Sequence, residues 1–186
     1  MKRKVLRLIV LIFAVALLLS CSRELTYEER MNIAKNEYNK KMTANNKKLV
    51  DSFFNGNLPL SDNEKSIDSG FYCMWKTREI EIKPHLVVNQ MLKENGYTIT
   101  LSQDSLRYIV VSESKSHKVG SYGNGADAVQ LEIVISLIDL KEEKAYRLLN
   151  SMGGMPPQVT RNRSGAVGSF LGDEGIYNSI SNHITK

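Results

Sequence analysis

The chain has 186 residues, of which 42% are hydrophobic and 24% are charged, so it carries enough apolar material for one domain with a substantial core. Four of its 25 basic residues lie within the first seven positions: Lys2, Arg3, Lys4 and Arg7. This leaves 21 Lys and Arg against 20 Asp and Glu, a net charge of +1, for the rest of the chain. A nucleic-acid partner requires a concentrated basic surface, and this balance does not favour one.

The N-terminus carries a short apolar segment behind this basic flank. Residues 8–19 form an unbroken apolar run. As a helix the run spans about 18 Å, well short of the roughly 30 Å hydrocarbon core of a bilayer. Such a segment is typical of a cleaved signal peptide rather than of a permanent membrane span. We therefore predict a signal peptide over 1–20, ending at the small residue Ser20.

Residues 18–21, Leu-Leu-Ser-Cys, resemble the lipobox of bacterial lipoproteins. The resemblance implies that maturation enzymes acylate the Cys21 thiol and remove the leader, and that the lipid holds the mature chain on a membrane. Ser22 stands where aspartate would resemble an inner-membrane retention signal, which favours the outer membrane. Two alternatives are an ordinary signal peptide with an incidental cysteine and an uncleaved anchor.

Residues after Cys21 predict a long helix. Thr26 and Glu29 fit a capping box, and apolar residues recur at helical spacing as far as Phe53, with Gly56 as a stop. This helix either holds the rest of the protein away from the membrane or lies along it. The chain then divides into three parts: the signal peptide over 1–20, the acylated cysteine with the helix over 21–56, and a single domain over 57–186.

The third part predicts an α+β fold, with a mostly antiparallel sheet of about five strands covered by helices on one face. The expected strands cover 71–82, 97–101, 106–113, 129–139 and 145–150. The last two form a hairpin with a turn of about four residues, in which Glu142 and Glu143 are expected to be solvated. Further helices are expected to start near Pro84 and at Asp173, the latter serving as an N-cap.

Residues 71–150 are similar to the small domains of several groups of bacterial envelope lipoproteins. The shared features are a helix ending in Gly96-Tyr97 and a long alternating strand that ends at residues 138–140, Ile-Asp-Leu. A stretch rich in Gly and Pro and a short final helix follow in both. This resemblance implies a role in assembly or in binding another envelope component, and it contains no catalytic motif.

Signatures of metal binding and catalysis are absent from the sequence. His85, His117 and His183 do not have the spacing of a zinc site, so neither a metal nor another cofactor is predicted. With Cys21 acylated, Cys73 is the remaining thiol, and we interpret it as a small buried residue rather than a reactive one. No Gly-x-Ser-x-Gly motif is present, so we do not predict an enzyme.

Candidate binding residues occur in three places. They are Lys47 and Lys48 on the long helix, Tyr122 in a glycine-rich loop over 120–125, and Arg161 and Arg163 in a Gly-rich segment over 152–172. The arginines suit an anionic group such as a phosphate or carboxylate. The alternatives are a solvated helix face for the lysines and a passive connector for the Gly-rich segment.

We therefore predict a membrane-anchored, non-enzymatic envelope lipoprotein that binds another envelope protein or a cell-wall polymer. Two other classes of function stay open. One is an envelope hydrolase or transferase whose site brings together His117, a serine and a carboxylate. The other is a carrier of an apolar ligand, which requires a cavity between the sheet and its helices.

Overall fold

A computed structural model describes residues 24–76, 81–158, 166–169 and 171–185. The predicted signal peptide, Cys21, Arg161 and Arg163 lie outside these residues. Within them the chain forms four helices: α1 Tyr27–Lys41, α2 Ala44–Phe54, α3 Leu86–Glu94 and α4 Asp173–Ser181. It also forms seven strands: β1 Leu60–Ser61, β2 Gly70–Lys76, β3 Ile82–Pro84, β4 Leu106–Ser121, β5 Asp127–Asp139, β6 Lys144–Met152 and β7 Ala166–Val167.

The strands form one mixed sheet in the order β1-β6-β5-β4-β2-β3, with β7 paired to β5. The two longest antiparallel ladders join β5 to β4 and to β6. Strand β2, in contrast, pairs with β4 in parallel, and β1 and β7 are also parallel to their neighbours. The α+β class is therefore correct, while the sheet has more strands and more parallel pairing than predicted.

Helices cover both faces of the sheet, so the prediction of helices on one face is wrong. On one face α3 and α4 pack on the side chains that include Ile135. On the other face α1 and α2 pack on those that include Ile138. Residues of both parities along the middle of β4 and β5 are buried, from Ile109 to Val111 for example, because neither face meets solvent there.

The segment predicted as one long N-terminal helix forms two helices that lie along the sheet. The capping box at the start of α1 is present: the Thr26 hydroxyl accepts from the Glu29 N–H, and the Glu29 carboxylate accepts from the Thr26 N–H. The chain turns extended at Met42, which is buried, and at Thr43, whose hydroxyl caps α2 through the Asn46 N–H. A second cap therefore divides the predicted helix.

Several element boundaries differ from the prediction for identifiable reasons. The strand expected over 71–82 is an antiparallel pair, β2 and β3, and the strand expected over 97–101 is reduced to one bridge between Ile99 and Phe71. Strand β4 continues well past Glu113. Its outer half is polar and exposed on both faces, so no apolar pattern marks it in the sequence, yet its backbone pairs with β5. Asp173 is the first residue of α4 rather than its N-cap, which is Gly172.

The described parts of the Gly-rich segment are tied to the edge of β5. The Gly153 N–H donates to the Leu131 carbonyl at 2.7 Å, and the Gly168 N–H donates to the Val129 carbonyl at 3.0 Å. A Cβ atom on Gly168 would lie 1.7 Å from the Gly154 carbonyl oxygen, so this close backbone approach requires glycine. Glycines here allow two chain segments to pack side by side.

Candidate functional site

A cluster of charged side chains lies where the β5–β6 turn meets the start of β4. Asp139, the last residue of β5, is fully buried. Its Oδ1 accepts from the backbone N–H groups of Lys141 and Glu142, both at 3.0 Å. Its Oδ2 lies 3.2 Å from Nη2 of Arg107 and 3.4 Å from Nζ of Lys65. One carboxylate thus shapes the turn and pairs with two cations.

The outer members of this cluster are paired with one another. The Tyr108 hydroxyl donates to Asp68 Oδ1 at 2.7 Å, and this bond, with Arg107 nearby, lowers the pKa of the Asp68 carboxyl. Lys65 contacts Glu142 at 2.8 Å and lowers the pKa of that carboxyl as well. Glu142 is exposed at the turn as predicted, but its carboxylate is engaged. Since these acids are held ionised and paired, the cluster stabilises the junction between the β5–β6 turn and the start of β4.

A groove of about 540 Å³ lies between the first turns of α1 and the junction of β3 with α3. Its apolar lining consists of Tyr27, Met31, Trp75, Pro84, Leu86 and Val87. Its polar lining consists of Glu28, Asn32, Lys35, Lys83, His85 and Asp173. The volume lies within the range of roughly 300–1,000 Å³ found for sites that bind small molecules, so the groove is the principal candidate site.

His85 forms part of the floor of the groove. The residue is buried, and its ring meets Trp75 edge to face with centroids 5.1 Å apart. Its Nε2 makes no hydrogen bond, and the Asp173 carboxylate at the start of α4 is 3.7 Å away. Burial lowers the pKa of His85, and Asp173 opposes this shift. The imidazole is therefore neutral at neutral pH, with a nitrogen that lacks a hydrogen-bond partner among the described residues.

We expect the stability of the protein to fall as the pH drops below about 6.5, the ordinary pKa of histidine. The unfolded chain binds a proton in this range more readily than the folded protein does, because burial lowers the folded pKa of His85. Thermal unfolding midpoints measured from about pH 8 to about pH 5 should show this decline. It should flatten in His85→Gln and persist in His117→Gln, where the lost histidine is an exposed one. Equal slopes in both variants would contradict the assignment.

The rim of the groove holds α1 against β3 through charged contacts. The Glu81 carboxylate bonds the ammonium groups of Lys35 on α1 and Lys83 on β3, the latter at 2.7 Å. The contact with Lys35 makes the largest contribution to lowering the pKa of the Glu81 carboxyl, and the contact with Lys83 lowers that pKa further. The lysine charges at the rim are thus partly neutralised, which leaves apolar contact as the main property of the groove.

Among the candidate residues chosen from the sequence, the three that the structure describes, Tyr122, Lys47 and Lys48, do not line this groove. The Tyr122 hydroxyl donates to the Pro157 carbonyl at 2.6 Å and ties the β4–β5 hairpin to the Gly-rich segment. Lys47 Nζ donates to the Asn39 carbonyl at 2.7 Å across the joint between α1 and α2, and Lys48 is exposed. No contact among the described residues joins Tyr122 to either lysine, so they do not form one site.

The residues considered for catalysis are placed separately as well. His117 pairs with Glu132 at 2.7 Å on the exposed half of the hairpin, which lowers the pKa of the Glu132 carboxyl. No serine hydroxyl of the described residues hydrogen-bonds His117. Cys73 is buried as predicted, and burial raises the pKa of its thiol. The described part of the chain also contains no group of three or more His, Cys, Asp or Glu residues that could hold a metal.

Sequence reasoning missed both the groove and the charged cluster. Tyr27 and Met31 fall on the predicted apolar side of the first helix, yet they line the groove instead of the core. For the charged cluster the sequence did contain a signal, because Asp139 directly follows an apolar run, and the structure shows that this run is buried.

None of the helices in the described residues is long and apolar enough to cross a membrane. The chain matches no protein-family model and has no significant match among curated proteins.

Proposed function

We propose that this chain is a lipid-anchored bacterial envelope protein, held on the outer membrane through Cys21, that binds another envelope component without catalysing a reaction. The observation that carries the proposal is the Leu-Leu-Ser-Cys sequence at 18–21, behind an apolar run and a basic flank. Two acyl chains or more on one cysteine give stable attachment, since each buried CH₂ contributes about 0.8 kcal/mol.

A binding role is supported by the way the polar groups are used. The charged cluster around Asp139 is engaged in holding the turn, and His117 is paired with Glu132. Apolar atoms supply the larger part of the surface of the groove between α1 and α3, beside six polar or charged side chains, and this combination is typical of a recognition site. The same lining supports a second candidate function, that of a carrier for an apolar ligand.

Acylation is tested by producing the full chain, with its leader, in a bacterium that matures lipoproteins. We expect the intact mass to show loss of residues 1–20 and addition of a diacylglyceryl group, and the protein to float with membranes. Cys21→Ser should abolish both the added mass and the flotation. Cys73→Ala, which removes the other thiol of the chain, should preserve both. A wild-type protein with a bare Cys21 or an attached leader would overturn the proposal.

The binding role is tested by crosslinking in intact envelopes. A photo-reactive residue at Lys48, an exposed candidate position on α2, should capture a stoichiometric partner, whereas one at Ile33, an exposed position on α1 outside the candidate residues, should not. A consistently monomeric protein at both positions would count against binding of a protein partner.

A further inference from the structure

Two exposed apolar side chains line the groove, one of them in the first turn of α1. Tyr27 on α1 and Val87 on α3 line it while remaining 58% and 41% exposed, and Leu25, two residues before α1, is 48% exposed. We propose that the groove face is the surface by which the protein docks on the bilayer that carries its lipid. This inference rests on the proposed acylation of Cys21, and it specifies how the domain is oriented on that membrane.

Chain length keeps the groove close to the anchor. Three residue steps separate Cys21 from Glu24, where the described chain begins, and six separate it from Tyr27. At no more than about 3.6 Å per residue, the anchored cysteine lies within about 11 Å of Glu24 and about 22 Å of Tyr27. The first turn of α1, which forms one wall of the groove, therefore cannot stand far from the lipid surface.

The side chains of this face suit the interfacial zone of a bilayer. Tryptophan and tyrosine favour that zone because each joins an apolar ring to a polar group, and Trp75 and Tyr27 both line the groove. Long lysine side chains can cover apolar surface with their stems while their ammonium groups reach the lipid headgroups. Lys35 and Lys83 line the groove with their ammonium groups paired to Glu81, so each must leave that carboxylate to reach a headgroup.

The charge of the groove separates this docking mode from an electrostatic one. The lining carries two lysines, Glu28 and Asp173, and Glu81 pairs with both lysines at the rim, so the face has no excess of positive charge when His85 is neutral. Docking should therefore depend on apolar contact and not on anionic lipid. Contact through Lys47 and Lys48 on α2 would instead require anionic lipid and weaken with salt.

Trp75 is the only tryptophan of the chain, so its fluorescence reports on the groove directly. The acylated full-length protein is reconstituted into phosphatidylcholine vesicles, with and without brominated acyl chains. For the acylated protein in vesicles, we expect the Trp75 emission to lie at a shorter wavelength than for the Cys21→Ser protein in detergent-free buffer. We also expect the brominated lipid to quench the emission of the acylated protein strongly. A control protein with Trp75→Phe and Val119→Trp, which places the indole on the distal hairpin, should show no quenching.

Matched variants test which side chains make the contact. Tyr27→Asp combined with Val87→Asp should lower the ratio of docked to undocked protein by roughly tenfold, the effect of about 1.4 kcal/mol. Both positions are exposed and lie in the first turn of a helix, where aspartate is tolerated. Ile33→Asp, an equally exposed position on α1 outside the groove, should leave the quenching unchanged. Flotation should persist in every variant because the acyl chains remain.

The possible outcomes distinguish this inference from the proposed function. A protein that is acylated and floats, but whose Trp75 is not quenched by brominated lipid, overturns the docking face and leaves the lipid anchor in place. Quenching that needs anionic lipid or disappears at high salt also overturns it, because an electrostatic surface is then responsible. A protein that lacks the acyl group fails at the mass measurement, which contradicts the proposed function itself.

Discussion

Replacing Asp139 with alanine is expected to lower the free energy of unfolding by about 3–5 kcal/mol, the usual effect of breaking a buried ion pair by removing one partner. The carboxylate is fully buried and holds the guanidinium of Arg107 and the ammonium of Lys65. Alanine leaves both cations without this partner. It also removes the acceptor for the Lys141 and Glu142 N–H groups, which shape the turn between β5 and β6.

Chemical denaturation of three variants separates these effects. Asp139→Asn keeps an oxygen that can accept from the turn N–H groups but removes the charge, so its loss should be intermediate. Asp127→Ala removes a carboxylate that pairs with Lys118 at an exposed position of the hairpin, and it should cost at most about 1 kcal/mol. A loss of similar size for Asp139→Ala and Asp127→Ala would show that the cluster stabilises the fold no more than an exposed ion pair does.

The strands were predictable where local pattern and burial agree. Apolar residues recur at every second position of β5, which predicts one shared face, and Ile133, Ile135 and Leu137 of this set pack together in the core. Val134 and Ile138 on the other face are equally apolar, which indicates a strand buried on both sides. That indication was not decisive, because the helix predicted within 21–56 could either hold the domain away from the membrane or lie along it, and only the second arrangement covers the other face of the sheet.

Of the N-caps of α1 and α2, the first was predicted from the sequence and the second was not. Thr26 was recognised because Glu29 follows it at the spacing of a capping box. Thr43 performs the same task for α2, but the helical spacing of apolar residues continues through it. The break depends on the burial of Met42 against the sheet, a tertiary contact that no local pattern contains.

The candidate site was beyond sequence reasoning for a similar reason. Its lining comes from four separate parts of the chain: residues 27–35, Trp75, residues 83–87 and Asp173. Each part has an ordinary local explanation, as helix face, strand, strand end or helix start. Only the packing of α1 beside the edge strand β3 brings these four parts together. Trp75, the single tryptophan of the chain, was the one available indication of the site in the sequence.

Asn89 provides the clearest test of how the wall of this groove is held. Strand β2 pairs with β4 along one edge, but β3 covers its other edge only from Met74 to Lys76. At Cys73 the buried side chain of Asn89 takes the place of a strand. Its Nδ2 donates to the Cys73 carbonyl and its Oδ1 accepts from the Cys73 N–H, both at 2.9 Å. The amide therefore fixes α3, and with it the groove residue Val87, to the sheet.

Asn89→Leu is expected to lower the free energy of unfolding by about 2–3 kcal/mol, because the buried Cys73 N–H loses its acceptor without gaining water. The Cys73 carbonyl retains a bond from the His85 N–H at 3.0 Å, which limits the loss. Chemical denaturation measures this value, with Asn95→Ala at the exposed end of the same helix as the control, expected to change stability by less than about 0.5 kcal/mol. The emission of Trp75, which packs on His85, should shift in folded Asn89→Leu and not in Asn95→Ala. If the two variants behave alike, the Asn89 amide does not hold the wall of the groove.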